Sequence, residues 1–176
     1  YAMGKDIRGM GSGNIGATKV HRSAGGRAGV AVLLLDIAKG FAAVWIASLL
    51  THNSPIGLGA AAVAVMLGHA FPAFLGFKGG KAVACFIGAF LYIAPYALLV
   101  VLALFVLVVA VSKFISLGSI VAALLFPVAV WFVMHPAPAI LAAAIFSGLF
   151  IVYRHKSNIE RLIAGNERVF SLKGRS

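Results

Sequence analysis

The uncharged stretch "AVACFIGAFLYIAPYALLVVLALFVLVVAVS", residues 82–112, decides how the chain crosses a membrane. A membrane-spanning helix needs about 20 apolar residues, so this run of 31 residues is too long for one ordinary span. Pro95 offers a break inside it, because proline disfavours helical geometry in the residue before it. We therefore predict a turn at Pro95. It separates a partial span of about 18 Å over residues 82–93 from a full span that ends at Ser112.

The positions of the basic residues favour this turn. Three linkers contain no lysine or arginine: residues 51–56, 93–97 and 135–139. The basic residues lie elsewhere, in residues 5–27, at Lys78, Lys81 and Lys113, and in residues 154–175. With a turn at Pro95, helix ends without lysine or arginine alternate along the chain with basic helix ends. Every basic end then faces the cytoplasm, as the positive-inside rule requires. Without the turn, the basic C-terminal tail would be exported.

The whole chain has the composition of a membrane protein. Of its 176 residues, 62% are hydrophobic and 11% are charged, whereas soluble domains are about a quarter charged. Further spans are predicted at Ala28–Leu50, within Ile56–Phe77, at Phe114–Met134 and at Ala137–Tyr153. We expect an all-α, polytopic transmembrane helix bundle with about six spans and a single domain over residues 1–176. The net charge of +11 then indicates contact with lipid headgroups rather than with nucleic acid.

The first unusual polar stretch is "GSGNIGATKVHR", residues 11–22. Its glycines match the G-x-G-x-x-G pattern of dinucleotide-binding folds, but no strand precedes them, so that interpretation is rejected. Glycine-rich segments also form nests of backbone N–H groups that bind anions. We expect an anion site here, built from Gly11, Ser12, Asn14, Thr18 and Arg22.

A second unusual stretch is "GHAFPAFLGFKGGKA", residues 68–82, where two lysines flank two glycines. It is not a P-loop, because Ala82 replaces the hydroxyl residue that would meet magnesium. The pattern still predicts a phosphate clamp at a helix N-terminus, in which backbone amides and lysine side chains bind the anion. Its residues are Lys78, Gly79, Gly80 and Lys81.

Two polar pairs lie inside or beside the predicted spans. Asp36 and Lys39 are three residues apart within an apolar run, and we expect them to neutralise each other because unpaired charges in a membrane are costly. Ser116 and Ser119 fall in the first turn of a predicted helix. For Ser116 we expect helix capping, and we assign Ser119 to the polar site.

The stretch "YRHKSNIERLIAGNE", residues 153–167, follows the last predicted span. His155 and Asn158 are three residues apart and so share one helical face on the same predicted cytoplasmic side as the glycine-rich loops. His155 and Glu160 also form an H-x-x-x-x-E pattern, close to the H-x4-D of coenzyme-A-dependent acyltransferases. That similarity leaves a rival interpretation open.

Together these residues predict a cationic, donor-rich phosphate site at the cytoplasmic surface. Four acidic residues spread over the chain cannot form the carboxylate cluster that a magnesium-dependent phosphotransferase needs, so we expect no metal. Cys85, the only cysteine, lies in an apolar run, excludes an intrachain disulfide and is expected to be a packed thiol. The site is suited to binding and polarising a ligand rather than to nucleophilic attack.

The four motifs "DIRGMGSGNIGATKVHR", "GHAFPAFLGFKGGKA", "SLGSI" and "YRHKSNIERLIAGNE" together resemble the bacterial acyl-phosphate:glycerol-3-phosphate acyltransferases. The resemblance covers nearly the whole chain. It implies a leading helix before the first motif, which would bring the spans to seven in the intact protein. One departure is Lys19, which stands where the family usually has asparagine.

The resemblance implies an enzyme of the bacterial inner membrane that takes part in phospholipid synthesis. Its substrates would be acyl phosphate and glycerol 3-phosphate, its products lysophosphatidate and inorganic phosphate, and it would need no cofactor. Carried over by motif, the residues lining the site are Ser12, Arg22, Lys81, Ser119, His155 and Asn158. We assign catalytic roles to Ser12, Lys81 and His155, although the donor's own phosphate could accept the proton in place of His155.

Two other functions remain open at this point. Short or proline-broken helices near an anion site also suit a transporter of organic phosphates. An acyl-coenzyme-A-dependent acyltransferase would instead rely on His155 and Glu160.

Overall fold

The computed structural model describes residues 26–170, which form helices joined by short connections. In chain order the α-helices are α1 (Gly26–Leu50), α2 (Pro55–Ala70), α3 (Val83–Ile93), α4 (Pro95–Ser112), α5 (Ile115–Met134), α6 (Pro138–Arg154) and α7 (Lys156–Ile163). A short 3-10 helix, Ala73–Leu75, lies between α2 and α3. No strand occurs among these residues, and the prediction of an all-helical membrane protein is confirmed.

The predicted turn at Pro95 is present. Helix α3 ends at Ile93, and Pro95 is the first residue of α4. Proline suits this position because the first helical N–H has no partner within the helix and the fixed φ of proline is already helical. Helices α2 and α6 begin with proline for the same reason. Helix α3 has 11 residues and is therefore too short for a full span, as expected.

Four of the described helical segments are long and apolar enough to cross a membrane. They are Ala28–Leu50, Pro55–Leu75, Pro95–Ser112 and Ile115–Met134. Helix α6 reaches that length only together with α7, from which it is bent by 56°. The protein therefore crosses the membrane several times, and the count of six spans stays a prediction.

The described helices group into two compact units, which meet in sequence between Ile93 and Ala94. In the N-terminal unit, α1 packs against both α2 and α3. In the C-terminal unit, α5 packs between α4 and α6, and α7 follows α6. Whether the two units form the single domain expected over residues 1–176 stays a prediction.

Helices α1 and α3 approach each other closely at two glycines. A Cβ atom at Gly40 would collide with the carbonyl oxygen of Cys85, and one at Gly88 would collide with that of Ile37. Small residues allow such approach between helices in membranes, where dispersion contacts rather than water exclusion drive association. This seam brings the first turn of α3 beside the middle of α1.

Candidate functional site

The lysine–glycine loop, residues 76–82, joins the 3-10 helix to α3. Three of its residues have left-handed backbone conformations: Gly76 with φ 60°, Phe77 with φ 60° and Ala82 with φ 61°. Glycine adopts this conformation readily, but it is unfavourable for phenylalanine and alanine. The surrounding contacts must therefore hold the loop in its shape.

Gly79 and Gly80 attach this loop to the end of α2. The Gly79 amide donates to the Ala70 carbonyl at 3.1 Å, and the Gly80 amide donates to the His69 carbonyl at 3.3 Å. A Cβ atom at Gly79 would collide with the His69 carbonyl oxygen, so the approach requires glycine. We had expected these two amides to bind an anion. The structure directs them to α2 instead, which leaves the lysine side chains as the loop's candidate anion ligands.

Two lysines give the loop its charge. Lys78 is exposed, whereas Lys81 is half-buried and lies two residues before Val83, where α3 begins. A helix N-terminus attracts anions because its first amides have no partner within the helix and its dipole is positive there. The first turn of α3 contains no acidic residue that would oppose this. The arrangement can bind a phosphate group next to Lys81.

A second polar group lies at the corner between α6 and α7, where His155 separates the two helices. The side chain of His155 is buried, with 2% of the residue exposed. Its Nδ1 atom lies 2.7 Å from the Ile151 carbonyl oxygen. A carbonyl oxygen can only accept a hydrogen bond, so Nδ1 carries a proton and donates it. In the neutral ring, Nε2 then holds the lone pair and can accept a proton.

Asn158 lies one turn after His155 and is held by Glu167. Its backbone amide donates to the His155 carbonyl at 2.8 Å, and its side-chain Nδ2 donates to Glu167 Oε1, also at 2.8 Å. Arg161 Nε donates to Oε2 of the same carboxylate at 2.7 Å. Ser116 Oγ donates to Oε1 at 3.1 Å. Three donors, from α5 and α7, thus meet at one carboxylate.

Glu167 is a candidate site residue that sequence reasoning did not assign. Burial raises the pKa of its carboxyl, but the hydrogen bonds from its three donors outweigh burial and hold the pKa below its usual value of 4.5. The carboxylate is therefore charged at neutral pH and keeps the Asn158 amide in place. The sequence did contain a signal, since Glu167 is one of only four acidic residues and ends the fourth motif.

Neither of the serines Ser116 and Ser119 caps the N-terminus of α5. The residue that precedes α5 is Phe114, and no side chain caps the helix there. Ser116, which we expected to be a cap, donates instead to Glu167, 51 residues away, so that prediction is wrong. Ser119 is buried, and its hydroxyl donates to the Ile115 carbonyl one turn earlier at 3.0 Å.

The charged pair predicted inside α1 is present. Lys39 Nζ lies 2.9 Å from Asp36 Oδ1. The same ammonium lies 3.1 Å from Nδ1 of His69, in the last turn of α2. The contact between Lys39 and His69 was not predicted, because the two residues are 30 positions apart in sequence. Cys85 is fully buried, as expected for a packed thiol.

The predicted site residues fall into three sets. Those of the first motif lie outside the described residues: Gly11, Ser12, Asn14, Thr18 and Arg22. The lysine–glycine loop brings together the residues of the second motif in the N-terminal unit: Lys78, Gly79, Gly80 and Lys81. The C-terminal unit holds the remaining ones: Ser119, His155 and Asn158. Convergence of the three sets on one ligand stays a prediction.

The pattern formed by His155 and Glu160 gains no support from the geometry. An acid that assists a histidine base holds the Nδ1–H group of the ring. Here Nδ1 is hydrogen-bonded to the Ile151 carbonyl, and Glu160 is exposed on α7.

Comparison with known proteins shows to which family this chain belongs. The sequence model described as Glycerol-3-phosphate acyltransferase matches residues 1–165. The chain belongs to the glycerol-3-phosphate acyltransferase family. A glycerol-3-phosphate acyltransferase of Fusobacterium nucleatum subsp. nucleatum is 43% identical, over 95% of this chain and 85% of the relative. The one from Syntrophotalea carbinolica is 46% identical, over 94% of this chain and 84% of the relative.

Two solved structures of this family are also similar. A crystal structure of PlsY, an integral membrane glycerol 3-phosphate acyltransferase, in its glycerol 3-phosphate form has a TM-score of 0.89 and 36% identity, covering 97% of this chain and 84% of that one. The lysophosphatidic acid form has a TM-score of 0.84 and 36% identity, covering 91% and 81%. The predicted family, its helical membrane fold and its acyltransferase function in phospholipid synthesis are confirmed.

Proposed function

We propose that this chain transfers a fatty acyl group from acyl phosphate to the 1-hydroxyl of sn-glycerol 3-phosphate, giving lysophosphatidate and inorganic phosphate. The observation that carries the proposal is the lysine–glycine loop in front of α3, a cationic phosphate site in a chain of this family. Both substrates carry a phosphate group, which suits such a site. The PlsY structures, named as glycerol 3-phosphate and lysophosphatidic acid forms, support the acceptor and the product.

The chemistry of the described residues favours an acyl phosphate donor. An acyl phosphate is a mixed anhydride whose carbonyl carbon is already activated, so the acceptor hydroxyl can attack it without an acyl-enzyme. The serines of α5 direct their protons at Glu167 and at the Ile115 carbonyl rather than at an imidazole base. Cys85 is fully buried. Direct transfer then depends on positioning and on stabilisation of charge, without a metal or cofactor.

In the proposed step, the 1-hydroxyl oxygen attacks the acyl carbonyl carbon. The bond from that carbon to the phosphate oxygen breaks, and phosphate leaves with the bonding electrons. Lys81 stabilises the negative charge that develops on the phosphate. Ser12, Arg22 and Asn158 hold glycerol 3-phosphate, and the hydroxyl proton passes to Nε2 of His155 or to the donor's phosphate.

We further propose that the protein lies in the bacterial cytoplasmic membrane, among its lipids, with the active site on the cytoplasmic side. The basic residues Lys78, Lys81 and Lys113 and the basic C-terminal segment support this orientation, because cytoplasmic ends of membrane helices carry an excess of lysine and arginine. Both units would then belong to one acyltransferase domain over residues 1–176.

The donor can be tested directly with purified protein in lipid. Glycerol 3-phosphate is supplied with either acyl phosphate or acyl coenzyme A, and lysophosphatidate and inorganic phosphate are measured. We expect product from acyl phosphate alone. Product from acyl coenzyme A alone would overturn the donor assignment and return attention to Glu160. The Lys81→Ala variant, prepared in parallel, controls for a contaminating acyltransferase, since it should form much less product.

A further inference from the structure

Four side chains of the N-terminal unit form a polar cluster among its described helices. This cation cluster consists of Asp36, Lys39, His69 and Cys85. Lys39 Nζ is 2.9 Å from Asp36 Oδ1 and 3.1 Å from His69 Nδ1. The side-chain ligand atoms of Asp36, His69 and Cys85 all lie within 4.8 Å of one another, as they would around a metal ion. In this structure the Lys39 ammonium supplies the positive charge that a metal would otherwise bring.

The cation cluster joins the three α-helices of its unit that lie within the described residues. Asp36 and Lys39 belong to α1, His69 to the last turn of α2 and Cys85 to the first turn of α3. The glycine seam between α1 and α3 brings Cys85 next to the turn that carries Lys39. A charge in such surroundings is retained only when it is paired, and these partners come from three different helices.

The same cluster adjoins the lysine–glycine loop on both sides. Before the loop, His69 contacts Lys39 through its side chain and accepts the Gly80 amide through its backbone carbonyl. After the loop, Cys85 lies in α3, three residues beyond Ala82. The loop itself includes Phe77 and Ala82 in left-handed conformations. A strained backbone of this kind persists only where its surroundings determine it.

We propose that Lys39, together with Asp36 and His69, positions the lysine–glycine loop for phosphate binding. This inference rests on the proposed function, because it requires the loop to bind a substrate phosphate. These side chains act through the loop and do not touch the substrate. Removing the ammonium takes one charged contact away from His69, whose Nδ1 also lies 3.4 Å from Asp36 Oδ1, and loosens the α2 carbonyls that hold the Gly79 and Gly80 amides. Lys81 then meets the substrate phosphate less well, which weakens both phosphate binding and the stabilisation of the departing phosphate.

The experiment compares Lys39→Met with Lys39→Arg in purified protein reconstituted in lipid. For Lys39→Met we expect KM for acyl phosphate to rise about tenfold, and kcat to fall as well because Lys81 stabilises the departing phosphate. Lys39→Arg keeps the cation and should bring KM back to within about threefold. Because Lys39→Met also changes the charge beside the Asp36 carboxylate, which still lies 3.4 Å from His69 Nδ1, the double variant Asp36→Asn/Lys39→Met is measured too. It is neutral at both positions and should show the same rise in KM.

Two further variants separate the possible outcomes. Lys113→Met makes the same charge change at the end of α4, where the ammonium donates to the Ala110 carbonyl of that helix, and should leave KM unchanged. Lys81→Ala should raise KM if the loop binds phosphate. An unchanged KM in Lys81→Ala means that the proposed role of the loop has failed. A raised KM in Lys81→Ala with an unchanged KM in both Lys39 variants that lack the cation overturns the positioning role alone.

A purely structural role gives a different result. It lowers the amount of folded enzyme, so kcat per total protein falls while KM stays constant in every Lys39 variant. Metal analysis of the unchanged protein supplies a second check. We expect no zinc in stoichiometric amount, and one zinc ion per chain at the cluster would overturn the lysine-centred arrangement.

Discussion

Two polar groups within residues 26–170 are organised by charges of opposite sign. In the N-terminal unit the ammonium of Lys39 contacts both Asp36 and His69, and the loop is connected to them through backbone hydrogen bonds to the end of α2. In the C-terminal unit the carboxylate of Glu167 binds three donors, one of which is the side chain of Asn158. The Lys39 ammonium acts on the loop indirectly, through the backbone of α2, whereas the Glu167 carboxylate acts directly on the side chain of Asn158. We therefore expect the loop to act on the phosphate of the donor, in its binding and its departure, and the corner at His155 to act on the acceptor and its proton.

The largest effect is expected at the corner. His155→Gln keeps an amide that can donate to the Ile151 carbonyl but removes the basic nitrogen. We expect kcat to fall about 100-fold, with KM nearly unchanged, as for loss of a general base. Steady-state kinetics at saturating substrate measures this, with His135→Gln in an exposed linker as the control. Near-normal turnover would exclude the general-base role and leave the donor's phosphate as the proton acceptor.

The next effect concerns the charge at the centre of the corner. Glu167→Gln replaces a carboxylate that accepts three hydrogen bonds and is almost buried, with 7% of the side chain exposed. We expect the free energy of unfolding to fall by about 2 kcal/mol. Thermal unfolding in detergent provides the measurement, and Glu160→Gln, the same change at an exposed position of α7, should have almost no effect. Equal melting temperatures for the two variants would show that Glu167 does not organise the corner.

The smallest effect is the dependence of this contribution on pH. The pKa of Glu167 is lower in the folded protein than its usual 4.5, so its stabilisation is fully present above that value. It is lost as pH falls through the depressed pKa of the folded state. The difference in melting temperature between the unchanged protein and Glu167→Gln should therefore be constant near neutral pH and shrink below about pH 4.5. A difference that stays constant through acid pH would contradict the charged state assigned to Glu167.

Local signals in the sequence were sufficient to predict most of the helices. The turn at Pro95 followed from one proline and from the alternation of bare and basic ends, both of which act within a few residues. The pairing of Asp36 with Lys39 was also predictable, because three residues place two side chains on one helical face. The histidine and asparagine of the corner were assigned for the same reason.

Contacts between distant parts of the chain could not be predicted in this way. Ser116 has the position of a capping residue, but the Glu167 carboxylate competes for its hydroxyl from 51 residues away. Gly79 and Gly80 have the composition of an anion-binding nest, but the carbonyls at the end of α2 take their amides. In each case the sequence identified a polar group correctly, and tertiary packing selected its partner.

The glycine seam between α1 and α3 has a consequence for the hydrocarbon tail of the acyl donor. Backbones that approach closely enough to exclude a methyl group at Gly40 and Gly88 leave no room for a fatty chain between them. The tail must therefore reach the bilayer by another path. A bulkier side chain at either glycine would force the two helices apart. Comparing the activity with long and short acyl chains would then show whether a new path had opened for the tail.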